Sequence, residues 1–328
     1  MLYIETNSTD AAFHFSVEEY IACGTVTDEP VLMLWQADKC VMLGNYQVAA
    51  AEVNMAYAPK HGIGIVRRRS GGGAIFTDMG TILYTLILPR QNSREAARDA
   101  VVTPVIAALN KMGVPAVLDG RNDILANGRK FSGIAQYARG EWICTHGSIL
   151  FDTDLDMLVN VLNVDEDKIR SKAIRSVRSR VTNIRGYMNP PCKTDEFVRL
   201  LKQELMESLG CHEYTLNDYD LAEIDKIYRD RYANPAWTFG NSPKFSLRGT
   251  ERSTAGKVEV YLEVADGIVA SCSIRGDFLG TVPIRGLEKF IEGRIFQYEE
   301  MRNTLGEISL SPYLGGVKKG QLLSCMFD

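Results

Sequence analysis

The chain of 328 residues contains no apolar run of about 18 residues, so no segment is long enough to cross a bilayer as a helix. Its start, Met1-Leu2-Tyr3-Ile4-Glu5, lacks the basic-then-apolar order of an export signal. The cytoplasm is the expected location, with no membrane partner. The seven cysteines include no C-x-x-C pair, and the four histidines (His14, His61, His146, His212) include no pair at helical ligand spacing. Neither a zinc site nor a disulfide scaffold is expected, and the thiols are read as reduced. There is no Gly-Lys-Ser/Thr phosphate loop and no G-x-G-x-x-G opening a helix. Repeats and low-complexity segments are also missing. Positive charge is not in excess: 37 Lys and Arg stand against 41 Asp and Glu, for a net charge of −4. Bulk nucleic acid is therefore not the expected partner, although a local basic site remains open.

What is present is an ordinary globular composition, 45% apolar and 24% charged. The length suits a large domain with a satellite. Helical patterns run from Asp10 to Cys23, Val48 to Lys60, Arg94 to Met112, Asp154 to Leu162, Thr194 to Leu209 and Asn217 to Tyr232. In the first of these, Phe13, Val17, Tyr20 and Ile21 fall on one side, and Glu18 and Glu19 are expected on the other. Val31–Trp35 and Cys40–Gly44 read as buried strands. Asn127-Gly128 is a hairpin signal inside a three-strand meander that ends at Phe151. The breaker-rich stretch Asn234–Pro243 suggests domains 1–243 and 244–328. In the second, two strands (Gly256–Glu263 and Gly267–Arg275) precede a helix over Ile284–Asn303. The fold class is α+β.

Two stretches carry the chemistry. Arg67-Arg68-Arg69-Ser70-Gly71-Gly72-Gly73-Ala74-Ile75-Phe76 sets three arginines beside a loop without β-carbons, whose N–H groups can face an anion while guanidinium groups fork onto its oxygens. A floppy turn beside a solvated basic edge is the plain alternative. Between Lys168 and Arg185, seven basic residues crowd among hydroxyl side chains, at a spacing that suits a loop wrapping something anionic better than one helix face, with a solvated charged surface as the plain alternative.

Five ordered segments together resemble the lipoate-protein ligase A family, which shares its fold with biotin ligases. They are Arg67–Phe76; Gly120-Arg121-Asn122-Asp123; Arg129-Lys130-Phe131-Ser132-Gly133; His146-Gly147-Ser148-Ile149-Leu150; and Lys172 through Arg178 to Asn183. Trp237-Thr238-Phe239-Gly240 resembles the family's linker into its small C-terminal domain. The resemblance implies a mixed or antiparallel sheet flanked by helices, followed by a small α+β domain. It also implies ATP-dependent formation of an acyl-adenylate, with transfer to a lysine of a lipoyl carrier domain. The acceptors it implies are the E2 subunits of 2-oxoacid dehydrogenases and the glycine-cleavage H protein.

By the same resemblance Lys130 is the catalytic cation, and ATP would meet Arg68, Gly73, Ala74, Ile75, Phe76, Lys130 and Arg178. Lipoate would meet Arg67, Ser70, Gly72, Gly73, Lys130, Gly133 and His146. Asp123 is a candidate for Mg²⁺, with a turn-capping carboxylate as the alternative. His146 either lines the acyl site or is a hydrogen-bonded core histidine. Thr77-Asp78-Met79-Gly80-Thr81 and Gly44-Asn45-Tyr46-Gln47 depart from the family pattern, which leaves lipoate, octanoate and carrier-to-carrier transfer open. Two other readings stand beside this one. An ATP-independent octanoyl or lipoyl amidotransferase of the same fold would use a thioester, with Cys144 as its candidate thiol and a buried structural cysteine as the alternative for that residue. A binding module would hold lipoyl groups or nucleotide without chemistry.

Overall fold

The computed structural model describes residues 1–24, 27–55, 57–90, 93–163, 180–239, 247–265, 267–296 and 298–327. Most of the expected wrapping loop, including Lys168, Arg170, Lys172, Arg175 and Arg178, lies outside these residues, as does the expected boundary at 243. The described chain forms two compact units. The first comprises Met1–Met42, Glu52–Val66 and Ile75–Asn234; the second comprises Leu43–Ala51, Arg67–Ala74 and Pro235–Asp328. The triglycine loop therefore belongs to the same unit as the C-terminal residues.

The first unit is built on an eight-stranded sheet. Its strands are β1 (Leu2–Ile4), β2 (Val31–Trp35), β6 (Thr81–Pro89), β7 (Ala116–Asp119), β8 (Asp123–Ala126), β9 (Arg129–Arg139), β10 (Trp142–Leu150) and β11 (His212–Tyr214). Their spatial order is β11-β1-β2-β6-β10-β9-β8-β7. Strand β1 runs parallel to β2 and β11, and the remaining pairs are antiparallel, so the sheet is mixed as expected. The meander is β8–β9–β10. Its hairpin turns at Asn127 and Gly128, both at positive φ (48° and 75°), as a type I′ turn requires. Strands β2 and β10 are buried throughout, consistent with cover on both faces.

Helix α1 (Ala11–Ile21) lies on one face. Helix α2 (Arg94–Lys111) lies on the other, where Thr145 donates to the Ala97 carbonyl. Asp10 caps α1 by accepting from the Ala12 N–H at 2.8 Å. Helices α3 (Leu155–Val161), α4 (Thr194–Leu209) and α5 (Asp218–Ile227) follow, and α5 continues as a π-turn over Tyr228–Tyr232.

Several expectations change. Strand β3 (Cys40–Leu43) does not join β2; it lies between β4 (Gly64–Arg67) and β5 (Ile75–Thr77) in a separate three-stranded sheet. The helix expected over Val48–Lys60 is two single turns, Ala49–Glu52 and Tyr57–Lys60, interrupted where Val53 bridges to Leu162. Glu18 and Glu19 do not face water: they are 1% and 2% exposed. Buried partners outweigh the polar pattern of α1, because His146 and Thr85 receive Glu18, while Arg139, Arg231 and Tyr232 receive Glu19.

In the second unit β12 (Leu247–Ser253), β13 (Gly256–Ala265) and β14 (Ile268–Gly276) form an antiparallel sheet. Helices α6 (Arg285–Ile291), α7 (Tyr298–Thr304) and α8 (Lys319–Phe327) accompany it. The single helix expected over Ile284–Asn303 is thus broken in two, because Gly293 takes φ 81° and Ile295 bridges to Ile268 instead of continuing a helix. Among the described residues no helix is long and apolar enough to cross a membrane.

Candidate active site

In the first unit the register of the meander assembles one polar row. Directly opposed residues of an antiparallel pair share a face. Cys144, His146 and Ser148 on β10 therefore lie beside Tyr137, Ala135 and Gly133 on β9, and Gly133 lies beside Asp123 on β8. A register shift between Ile124 and Leu125 lets Lys130 lean back over Gly133. Its Nζ is 2.8 Å from Asp123 Oδ1 and 3.3 Å from where a Gly133 β-carbon would sit. Gly133 is thus the space into which Lys130 folds. Lys130 also receives the chain returning from the basic segment, since its carbonyl accepts from the Thr182 N–H at 2.9 Å.

Gly133, Ala135 and Ser148 have small side chains, so the row between Lys130 and His146 carries no bulky group. Gly133 to Ala135 spans about 6.6 Å of strand. At its far end the His146 Nδ1 is 3.0 Å from a Glu18 carboxylate oxygen. A carboxylate only accepts, so Nδ1 carries the proton. Glu18 also accepts from the Thr85 hydroxyl at 2.6 Å, and that hydroxyl accepts from the Trp35 indole at 3.1 Å. Cys144 lies in the same cluster and is fully buried. Burial first, and the Glu18 carboxylate second, push its thiol well above the ordinary range. It is protonated at neutral pH and lacks the thiolate that a transfer nucleophile needs.

Glu18, Thr85 and the small residues Ala135 and Ser148 were not singled out from the sequence. For Glu18 a signal was available: a Glu-Glu pair wedged between Val17 and Tyr20-Ile21 in an otherwise apolar helix.

In the second unit the triglycine loop is held from behind. Arg67 is completely buried. Its guanidinium donates to the carbonyls of Gly44 (2.8 Å), Asn45 (3.3 Å), Gln47 (2.7 Å), Trp237 (3.1 Å) and Thr238 (2.6 Å). Burial, with Arg275 adding, lowers its pKa to about 10, still well above neutrality. In this arrangement Arg67 is occupied by main-chain carbonyls instead of the lipoate expected for it.

Arg68 Nε donates to the Ser70 hydroxyl at 3.0 Å, and its Nη2 donates to the Gly71 and Gly73 carbonyls at 2.8 and 2.7 Å, curling the loop around its own side chain. Gly72 has φ 89° and donates to the Phe278 carbonyl, while a β-carbon on Gly71 would lie 2.3 Å from that oxygen. Ala74 leads into Ile75 and Phe76 of β5. Lys130, Asp123, Gly133 and His146 thus share one sheet of the first unit, and Arg67, Arg68, Ser70, Gly72 and Gly73 share one loop of the second. Arg178 lies outside the described residues.

The two segments that contain the departures from the family pattern are tied into the structure. The Gln47 side chain accepts from the Gly44 N–H at 2.8 Å, and Tyr46 stacks on Phe278. Thr77 lies 3.2 Å from the Cys40 sulfur, and Asp78 accepts from the N–H groups of Gly80 and Asp154.

Residues 10–206 match the Lipoyl protein ligase A/B catalytic domain family, and residues 242–326 match the Bacterial lipoate protein ligase C-terminus. The chain belongs to the lipoate-protein ligase family. Its relatives include the lipoate-protein ligase LplJ of Bacillus subtilis, 34% identical over 331 residues with 100% of both chains covered. A solved bi-partite lipoate protein ligase from Thermoplasma acidophilum, described with its E2 lipoyl domain, is 26% identical. It covers 75% of this chain and 98% of its own, with a TM-score of 0.67. A lipoate-protein ligase A bound with ATP is also 26% identical and covers 74% of this chain and 98% of its own, with a TM-score of 0.63. The mixed sheet with flanking helices is the architecture this ligase shares with those solved relatives, which cover about three quarters of its length.

Proposed function

We propose that this lipoate-protein ligase uses ATP to convert lipoate, or octanoate, into an acyl-adenylate and then acylates a specific lysine of a lipoyl carrier domain. The observation that carries this reading is the Lys130 ammonium at the head of a row of small residues, Gly133, Ala135 and Ser148. A straight acyl chain fits along small side chains, with its carboxylate at the cation.

The carboxylate oxygen attacks the α-phosphorus, an acyl–O–P bond forms, and pyrophosphate leaves with the broken P–O bond. Two anions must be held in contact for this, and Lys130 supplies charge to both. Arg68 and the N–H groups of the loop through Phe76 would take the phosphates, with Ser70, Gly72 and Gly73 near the acyl head. Arg178 would join them when the basic segment meets the nucleotide. His146 would bound the acyl chain. The acceptor lysine amine, neutral when it reacts, then attacks the carbonyl carbon, an amide forms, and AMP leaves with loss of a proton.

Mg²⁺ fits as an ion brought by ATP: it needs one or two protein carboxylates, and Asp123 offers one that is half-exposed and shared with Lys130. When bound, it would neutralise phosphate charge. The acceptors proposed are E2 subunits of 2-oxoacid dehydrogenases and the glycine-cleavage H protein, in keeping with the archaeal relative studied with its E2 lipoyl domain. Reducing, ATP-rich cytoplasm suits seven unbridged cysteines.

The test is lipoate-dependent release of pyrophosphate from ATP. Lys130→Ala is expected to slow it by about 10²–10³-fold, the loss typical of a cation or donor aimed at developing charge. Release at the parental rate would sink the proposal. A thioester route through Cys144 predicts that Cys144→Ala abolishes transfer; a thiol kept protonated predicts that it does not.

A further inference from the structure

We infer that Arg67 and Trp237 are positioning residues, forming a clasp through which the start of the C-terminal segment sets the shape of the triglycine loop. The inference rests on the reading that this loop binds substrate. Arg67 is held in a ring of carbonyls, and among the described residues no carboxylate pairs with it. A buried guanidinium satisfied this way works as a five-donor bracket, joining the Gly44–Gln47 turn to Trp237 and Thr238.

Trp237 closes the ring from the other side, its indole N–H donating to the Arg67 carbonyl at 2.9 Å. The turn then passes the constraint on. Asn45 N–H donates to the Ser70 carbonyl at 2.9 Å, and Arg68 N–H donates to the Leu43 carbonyl at 3.0 Å. Gly44 approaches so closely that a β-carbon would lie 2.0 Å from the Gly72 carbonyl oxygen. On the far side Phe278 holds Gly72, and the Tyr46 carbonyl accepts from Gly276 N–H at 3.0 Å. Residues about 170 positions apart in sequence thus decide which way the loop's N–H groups point.

The clasp assigns Arg67 and Trp237 a role in substrate affinity without contact with substrate. In the full-length protein, Trp237→Phe keeps the aromatic packing and removes one hydrogen bond. Arg67→Lys keeps the charge, but an ammonium with three donors cannot span both segments. The measurement is steady-state pyrophosphate release with ATP and lipoate varied in turn, beside a thermal melt. Trp237→Phe is expected to raise KM for at least one substrate by about tenfold, equal to about 1.4 kcal/mol, with kcat within about twofold and the melt unchanged. Arg67→Lys is expected to raise the same KM at least as far, with a lower melting temperature because buried carbonyls lose their donor, and the double variant to raise KM no more than the worse single, because both act through one loop.

Unchanged KM values in Trp237→Phe, or a loss in that variant that simply tracks a lower melting temperature, overturn the clasp. Lys130→Ala in the same assay separates the two ideas. If it abolishes release while Trp237→Phe leaves both KM values alone, only the clasp fails; if it is fully active, the proposed chemistry fails first.

Discussion

Two glycines of the central sheet illustrate how the neighbour decides what a side chain would do. A β-carbon on Gly147 would lie 2.3 Å from the Tyr84 ring, which is fully buried and cannot retreat. Gly147→Ala should therefore lower stability by about 1–3 kcal/mol in a denaturant titration. A β-carbon on Gly133 would meet only the flexible end of Lys130. Gly133→Ala should leave the melt nearly unchanged but cut pyrophosphate release by about tenfold, because it pushes the ammonium off its place beside Asp123. His14 adds a pH dependence. It is fully buried, its ring bonded to the Ser8 carbonyl, and burial lowers its pKa below 6.5. The unfolded chain then takes up the proton first as pH falls. The stability tied to neutral His14 is complete above pH 6.5 and drains away below it. Chemical denaturation at about pH 7.5 and 5.5 should show a smaller loss in His14→Gln than in the parent.

At the scale of elements, α1 is the brace of the site. It carries Glu18 to His146 and Glu19 to Arg139 and Arg231, so its position sets the His146 end of the polar row. Asp10 both caps the helix and accepts from the Tyr228 hydroxyl at 2.8 Å. Asp10→Ala should cost about 1 kcal/mol, a fall of about 2–4 °C in melting temperature for a body of this size. The β8–β9 hairpin plays the matching role at the other end: its type I′ turn and the register shift place Lys130 over Gly133. Asn127-Gly128 made that turn legible in the chain, whereas the shift by one residue has no local signature.

At the scale of the molecule, charge is distributed against its own average. The chain is net negative, yet seven Lys and Arg residues gather between 168 and 185. An acidic carrier domain approaching this segment would be steered by it. Raising salt from about 0.05 to about 0.5 M should therefore raise KM for the carrier several-fold while leaving lipoate-dependent pyrophosphate release much less affected. Equal sensitivity of the two steps would remove the argument for steering.

Sequence alone determined what depends on neighbours along the chain. Apolar runs marked β2 and β6, the Asn-Gly turn marked the meander, helical apolar spacing marked α1, α2 and α4, and the order of the Arg-Gly, Lys130 and His146 segments carried the family. Only the tertiary structure decided which partner each buried charge meets. It turned Glu18 and Glu19 inward, because desolvating a carboxylate is offset only by donors that arrive from distant strands and helices. It also tied Arg67 to Trp237 and Thr238, since five carbonyl partners brought together from two segments are a property of three-dimensional packing that no local pattern encodes.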